Sequence, residues 1–347
     1  MRNITYCEAI REALFQEMER DKSVFLYGIG LPDHKSIFGS VEGLADRFGY
    51  DRCRDTPISE DSMTGLGIGA AIVGMRPVHV HIRVDFLLLA INQIANSMTT
   101  ITYNSGGKLS VPLVIRAVIG RGWGQGCQHS KSMFSTFAHI PGLKVVAPTT
   151  PYDAKGLLIS SIRDNNPVLV LEHRWLYWQT GNVDSRLFEV EIGSANILRE
   201  GTDLTIVATS WMNVEASHAA GMLAKYHNVS VQIVDVRSLA PLDISTILDS
   251  VRKTRKCIIA DNDWVLYGVS SEISAQIYEN LSGELDIEVV RLGFKHTPCP
   301  TARHLENEFY PNAETIFRTA EHILRLESKS IATEKFYSHE NKFKGPF

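Results

Sequence analysis

The chain reads as an α/β protein of two parallel-sheet, three-layer domains. Apolar strand-length runs alternate with longer helical stretches, which calls for parallel sheets covered on both faces. The rhythm stops near residue 175 and restarts at 203, so the strand–helix series occurs twice. With 347 residues and 44% hydrophobic content, the chain is long enough for two cores. The predicted division is a first domain over 1–185, a linker over 186–202, a second domain over 203–327 and a polar tail over 328–347, mobile or held only by a partner.

In chain order, Thr5 caps a helix over 6–20, in which Ile10, Ala13, Leu14 and Met18 recur at helical spacing. Residues 24–28 form a short buried strand, and a loop with Gly and Pro leads to a helix over 41–48. The next stretch holds Asp55-Thr-Pro-Ile-Ser-Glu60. Pro57 keeps Thr56 out of the helical region and Ser59 or Ser62 caps the next helix, so Glu60 falls at a helix start. That helix carries Gly65, Gly67, Gly69, Ala70 and Ala71, and each glycine weakens it by about 1 kcal/mol against alanine, so close backbone approach is expected. A strand over 77–82, a long helix over 86–102 with Leu87, Ala90, Ile91 and Ile94 inward, and a strand over 111–116 come next. The Gly-rich segment 120–130 is next, then strand 144–148, helix 152–163 and strand 168–172. The second series runs strand 203–209, helix 214–226, strand 229–236, helix 244–251, strand 256–260, helix 269–281, strand 288–291 and helix 313–325.

Composition narrows the function classes. A formal charge of −4 with Lys and Arg dispersed among acids gives no nucleic-acid face. No apolar run approaches a bilayer span and no apolar segment follows the N-terminal charge, so a cytoplasmic protein is expected. The cysteines at 7, 53, 127, 257 and 299 lack metal-ligand spacing and read as reduced thiols. His79 and His81 share a strand face without a third ligand and read as core or interface residues.

Three loops fall beyond strand carboxyl ends, where open parallel sheets hold ligands: the turn at Glu60, the segment before Phe86, and 120–130, which delivers Gln128, His129 and Ser130. A carboxylate, an imidazole and a planar aromatic in one cleft would make an acid/base site for a flat heteroaromatic ligand. On spacing alone, Glu60 reads equally as a solvated first-turn carboxylate stabilised by the helix dipole. No phosphate cradle of Walker or Rossmann spacing is present.

Several motifs in fixed order carry a resemblance. Thr56-Pro-Ile-Ser-Glu60, the helix from Gly65 with Gly74-Met-Arg-Pro77, Phe86 before Ala90-Ile-Asn-Gln-Ile94, Ser105-Gly-Gly107, Gln128-His-Ser130, Pro141-Gly-Leu-Lys-Val-Val-Ala-Pro148, Asp153-Ala-Lys-Gly156, Trp264-Val-Leu-Tyr-Gly268 and Thr297-Pro-Cys-Pro300 span nearly the whole chain. Together they resemble the β subunit of the thiamine-diphosphate-dependent decarboxylating component of 2-oxo acid dehydrogenases of the pyruvate, acetoin and branched-chain type. The resemblance implies a transketolase-like pyrimidine-binding domain followed by a transketolase C-terminal-like domain.

It also implies roles. Glu60 would hydrogen-bond N1′ of the cofactor's aminopyrimidine, Phe86 would stack on that ring, Ile58 would line the pocket, Gln128 would contact the cofactor, and His129 would exchange protons with substrate or acyl acceptor. Leu113 and the segment Ser161, Ile162, Asp164 and Asn166 resemble a structural potassium loop. A Gly-Asp-Gly with a downstream Asn, the superfamily's signature for Mg²⁺ and the diphosphate, is missing. A separate α chain is therefore implied to hold them, in a heterotetramer with two of each chain. The implied activity is decarboxylation of a pyruvate-like 2-oxo acid with acyl transfer to the lipoyl domain of an acyltransferase. Val80 stands where related β subunits commonly place a Glu, flanked by His79 and His81, with Arg83 and Asp85 following. This charged rim keeps open an alternative: a two-chain transketolase- or acyloin-synthase-like carboligase passing a two-carbon unit to an aldehyde or sugar. A non-catalytic β-like scaffold would be expected to lack Glu60 or His129, and both are present.

Overall fold

A computed structural model describes residues 1–33, 36–120, 125–283 and 286–336. The chain forms two compact units. The first takes 1–120 and 131–192; the second takes 193–336 together with 125–130. The second unit thus begins at Gly193, inside the expected linker, and it claims a segment that interrupts the first.

In the first unit, strand β1 (Arg2–Thr5) leads into helix α1 (Tyr6–Arg20), and Thr5 and Glu8 close a capping box over the helix start. Tyr6, Ile10, Ala13, Leu14 and Met18 are all essentially buried, the face predicted by their spacing. Strand β2 (Val24–Gly28), the short helix α2 (Leu44–Phe48), strand β3 (Cys53–Asp55), helix α3 (Glu60–Ile72) and strand β4 (Arg76–His81) come next. Instead of one long helix, 84–104 is a broken path. It runs through helix α4 (Val84–Leu87), a 3₁₀ turn, a π-helical stretch over Gln93–Met98 and helix α5 (Ile101–Asn104). Of the four positions expected inward, Leu87, Ala90 and Ile94 are buried, as is Met98, whereas Ile91 is only half-buried because the break in the helix turns it off that face. Strand β5 (Val114–Ile119), helix α6 (Phe134–Ala138), strand β6 (Lys144–Val146), helix α7 (Pro151–Arg163), strand β7 (Val168–His173) and strand β8 (Thr180–Val183) complete the unit. Six strands pair in parallel in the order β6-β7-β5-β4-β2-β3, while β8 returns antiparallel to β1.

The glycine-rich helix α3 lies on this sheet. Its buried positions, Glu60, Thr64, Gly67, Ile68 and Ala71, form a single stripe. Gly67 is the contact point: a Cβ there would stand 2.0 Å from the Tyr27 hydroxyl of β2. The small residues thus let the helix meet an aromatic column on the sheet, in which Tyr27 stacks on His79 at 4.3 Å and His79 packs on His81 at 4.1 Å. Both histidines are core residues, as predicted, and their rings share an Nε2(His81)···Nδ1(His79) hydrogen bond of 3.2 Å. Among the described residues, no group of three or more His, Cys, Asp or Glu side chains could hold a metal ion.

The second unit starts with strand β9 (Asn196–Arg199), which lies in the stretch expected to be linker. Strand β10 (Leu204–Ala208), helix α8 (Met212–His227), strand β11 (Val231–Asp235), the short strand β12 (Ser238–Ala240), helix α9 (Ile244–Thr254), strand β13 (Lys256–Trp264), helix α10 (Val269–Leu281), strand β14 (Glu288–Phe294), helix α11 (Arg303–Phe309) and helix α12 (Ala313–Ile323) complete the series. Its five-stranded sheet is ordered β14-β13-β10-β11-β9, parallel except for β9. The expectation for the tail is corrected over its described part. Ile331 is buried in the second unit's core, Glu334 Oε1 accepts from Lys225 Nζ (2.6 Å) and the Tyr226 hydroxyl (2.7 Å), and Phe336 stacks on His218. Residues 337–347 of the predicted tail lie outside the described residues. Among the described residues, no helix is long and apolar enough to cross a membrane.

Candidate functional site

The segments that follow the carboxyl ends of β3 and β4 in the first unit carry Ile58, Glu60 and Phe86. At the end of β3, Asp55 Oδ1 accepts from the backbone N–H of Gly30 (2.8 Å) and of Thr56 (2.9 Å). This carboxylate ties the loop after β2 to the turn that leads into α3. Ser59 is the N-cap by position and its carbonyl accepts the first helical bond from Met63 N–H (2.9 Å), but its side chain makes no capping bond. Glu60 is therefore the first helical residue. It is buried, and its carbonyl takes the Thr64 hydroxyl at 2.8 Å. Its carboxylate is not the solvated first-turn group that spacing alone allowed.

Two apolar side chains of these segments are turned outward. Ile58 is 80% exposed and Phe86 is 38% exposed. An exposed apolar side chain such as Ile58 is available to a ligand or a second chain. Phe86 stands on α4, just past the end of β4, between the buried Asp85 and Leu87. Asp85 Oδ1 accepts from Lys131 Nζ at 2.9 Å.

Gln128 and His129 belong to the second unit. A 3₁₀ turn over Gly126–Gln128 presents them, with Gln128 exposed and His129 half-buried. Gly126 has φ of +64° and sits where a Cβ would stand 2.6 Å from Thr301 Oγ1, and the Tyr310 hydroxyl donates to the Ser130 carbonyl at 3.1 Å. The Gly-rich run before this turn, residues 121–124, lies outside the described residues.

The residues of the expected potassium loop do meet, at the turn after α7. Arg76 Nη1 donates to the carbonyls of Ile162 and Asp164, both at 2.9 Å, and Nη2 donates to Asn165 Oδ1 at 2.6 Å. The Asp164 carboxylate accepts from Lys144 and from Asn166 N–H (2.9 Å) and Nδ2 (3.1 Å). Burial opposes its charge, but these donors outweigh burial and hold the carboxyl below its ordinary range. The Leu113 carbonyl accepts from Val168 N–H at 3.1 Å, and the Ser161 hydroxyl turns back to Leu157. Each carbonyl oxygen keeps a second lone pair, so the set remains compatible with an ion.

Beneath the edge lies a network that sequence reasoning missed. Arg116 on β5 donates to Glu172 on β7 through Nε (2.6 Å) and Nη2 (2.9 Å), Nη2 also reaches Ser40 Oγ (2.9 Å), and the Tyr177 hydroxyl donates to Glu172 Oε2 (2.6 Å). Burial alone would lower the Arg116 pKa, but Glu172 raises it above the ordinary value. Arg116 sits in an apolar strand pattern, and its partner is 56 residues away. Only the unusual charge inside a buried-strand run could have flagged it.

Comparisons with known proteins agree with this architecture. Residues 2–179 match the family "Transketolase, pyrimidine binding domain" and residues 193–316 match "Transketolase, C-terminal domain". The chain is 41% identical over 322 residues to the acetoin:2,6-dichlorophenolindophenol oxidoreductase subunit beta of Cupriavidus necator, covering 90% of this chain and 95% of that one. It is 38% identical over 333 residues to the pyruvate dehydrogenase E1 component subunit beta of Porphyra purpurea, covering 96% and 100%. A solved structure described as "Split gene transketolase, inactive beta4 tetramer" superposes with a TM-score of 0.75 over 94% of this chain and 99% of that chain, at 23% identity, a likeness of fold. The chain belongs to the transketolase-like family of pyruvate and acetoin dehydrogenase E1 β subunits.

Proposed function

We propose that this chain is the β chain of a two-chain, thiamine-diphosphate-dependent enzyme that decarboxylates a pyruvate-like 2-oxo acid and passes the acyl unit to a lipoyl domain. The observation that carries the reading is Glu60: a buried carboxylate on the first turn of a helix, two residues after the outward-turned Ile58. A carboxyl group so placed can share a proton with a ring nitrogen in a dry site. Thiamine diphosphate, when bound, supplies a carbon nucleophile at C2 and an electron sink for decarboxylation. Glu60 holds a proton at N1′ of the pyrimidine, Phe86 offers its ring face, and Ile58 excludes water from that edge. His129, with Gln128 beside it, exchanges a proton with the substrate or the acceptor. Mg²⁺ and the diphosphate fall to an α chain, in an assembly of two of each, and the carbonyls of Leu113, Ser161, Ile162, Asp164 and Asn166 hold a potassium ion.

Glu60→Gln in the assembled enzyme tests this. The variant should keep its fold and assembly and lose cofactor-dependent turnover by 10²-fold or more, since general acid–base groups contribute about 10²–10⁴-fold. Turnover within a few-fold of wild type would remove Glu60 from the chemistry. Lys131 paired with Asp85 beside Phe86 favours ketol transfer to a polar aldehyde as a second reading. Reductive acylation of a purified lipoyl domain supports the first, and its absence with carboligation to an aldehyde supports the second.

A further inference from the structure

The second unit holds a cavity of about 670 Å³ that the proposed chemistry does not use. That volume lies in the range of small-molecule sites, about 300–1,000 Å³. Val265 and Leu266, just past the end of β13, and Lys295 and His296, just past the end of β14, all line it. The cavity therefore lies at the carboxyl ends of two neighbouring parallel strands, where an open sheet of this kind receives its ligand.

Charged groups of both signs line this cavity without pairing with one another. Arg291 on β14 is half-buried and held from one side: Nη1 donates to the Val265 carbonyl (3.0 Å) and to Ser271 Oγ (2.5 Å). Among the described residues, its Nε and Nη2 find no acceptor. Lys295 Nζ and the carboxylates of Glu308 and Glu314 likewise have no ion-pair partner among the described residues. Arg318 also lines the cavity but is engaged by Glu321 Oε2 at 2.7 Å. Asn307 adds a neutral group whose Oδ1 is shut off from solvent and accepts nothing from the described residues, a state that buried polar atoms seldom keep. Apolar side chains complete the lining. Phe294 and Phe309 are buried with their rings 5.0 Å apart, Leu292 is half-buried, and Leu266 is exposed.

We propose that this cavity binds a small zwitterion with an apolar side chain, an α-amino acid. The free Nε and Nη2 of Arg291 form the fork that matches a carboxylate at two points, the same pair of atoms that Arg116 turns to Glu172. Lys295 adds a second positive charge. The ammonium falls to Glu314 and Glu308, and the Asn307 amide is left to turn onto the same ligand. Two unpaired cations and two unpaired carboxylates favour a ligand of no net charge. An anion alone would leave both glutamates without a counter-charge, and an amine alone would leave Arg291 and Lys295 so. Because Nη1 is anchored beforehand, the fork needs little ordering when the ligand arrives. The site does not rest on the reaction proposed above.

The test titrates the full chain calorimetrically with L-leucine and with two analogues that each lack one charge, isoamylamine and 4-methylpentanoate. Wild type should bind leucine, and each analogue should bind at least about tenfold more weakly, since each loses a charge-assisted contact. Arg291→Lys keeps the charge and loses the fork, so leucine should weaken about fivefold or more. Lys295→Met removes a side chain without a structural partner and should weaken leucine severalfold in a protein whose circular dichroism is unchanged. Glu314→Gln should weaken leucine while leaving 4-methylpentanoate no weaker, because that analogue has no ammonium to lose. No binding of leucine by wild type, equal binding of leucine and 4-methylpentanoate, or unchanged leucine affinity in the folded variants would overturn the proposal. The titration reads no turnover, so its failure is separate from that of Glu60→Gln.

Discussion

Glu172→Gln is the most informative single perturbation of the scaffold under the site. Arg116 and Glu172 are each 1% exposed at the side chain, the pair is bidentate, and Ser40 and Tyr177 each add a hydrogen bond to it. Replacing the carboxylate by an amide leaves the guanidinium charge buried without a counter-ion. Breaking a buried pair in this way costs about 3–5 kcal/mol, mostly from stranding the remaining charge. At about 2–4 °C per kcal/mol for a unit of this size, the melting temperature should fall by roughly 6–20 °C. Arg116→Met should cost a similar amount, because it strands the carboxylate. The double variant Arg116→Met with Glu172→Leu removes both charges and should recover most of the loss. The measurement is a double-mutant cycle by urea unfolding, with m-values compared so that a change in unfolded-state compactness is not read as stability. Single variants costing less than about 1 kcal/mol, or two single losses that simply add, would refute the claim that this pair acts as one buried unit.

Three further outcomes are expected from the geometry. Burial lowers His81 from 6.5 to about 4, and burial with the charge of His81 takes His79 well below 6.5. The unfolded chain therefore takes up protons first, so stability is full above pH 6.5 and falls toward pH 4, by about 3 kcal/mol for His81 alone; in a melting series His81→Gln should flatten this slope, and an unchanged slope would rule the pair out as its source. Potassium at a hundredfold its Kd should stabilise by about 2.7 kcal/mol. Melting in KCl should therefore exceed melting in NaCl at equal ionic strength, and identical curves would dismiss the ion. Ile331→Ala should cost about 2–5 kcal/mol by urea unfolding, as for a core isoleucine, and a loss under 0.5 kcal/mol would mean that the tail does not pack.

Where local chemistry decides the structure, the sequence was legible. The Thr5 cap, the helix over 269–281 and the glycine-rich helix at Glu60 were all readable, because caps, spacing and small residues act within one or two turns. The single helix expected over 86–102 is broken because its apolar positions keep helical spacing while its backbone passes from α through 3₁₀ to π bonding, a change that periodicity does not record. Strand β9 was hidden in the linker because four half-exposed residues on a sheet edge carry almost no pattern. Of the candidate site, Glu60, Ile58 and Phe86 were nameable from motifs. The Arg116–Glu172 pair beneath it was invisible, since it joins residues 56 apart in the chain on two different strands.

The excursion of residues 125–130 into the second unit has a practical consequence. Because Thr301 packs against Gly126 and Tyr310 bonds the Ser130 carbonyl, a truncated protein ending at 192 would contain His129 but lack both of these supports of its loop. The two units are separable on a map of contacts and inseparable by a single cut in the gene. Variation at Thr301 or Tyr310, more than 170 residues downstream of the histidine, can therefore act on it as directly as variation at its own neighbours.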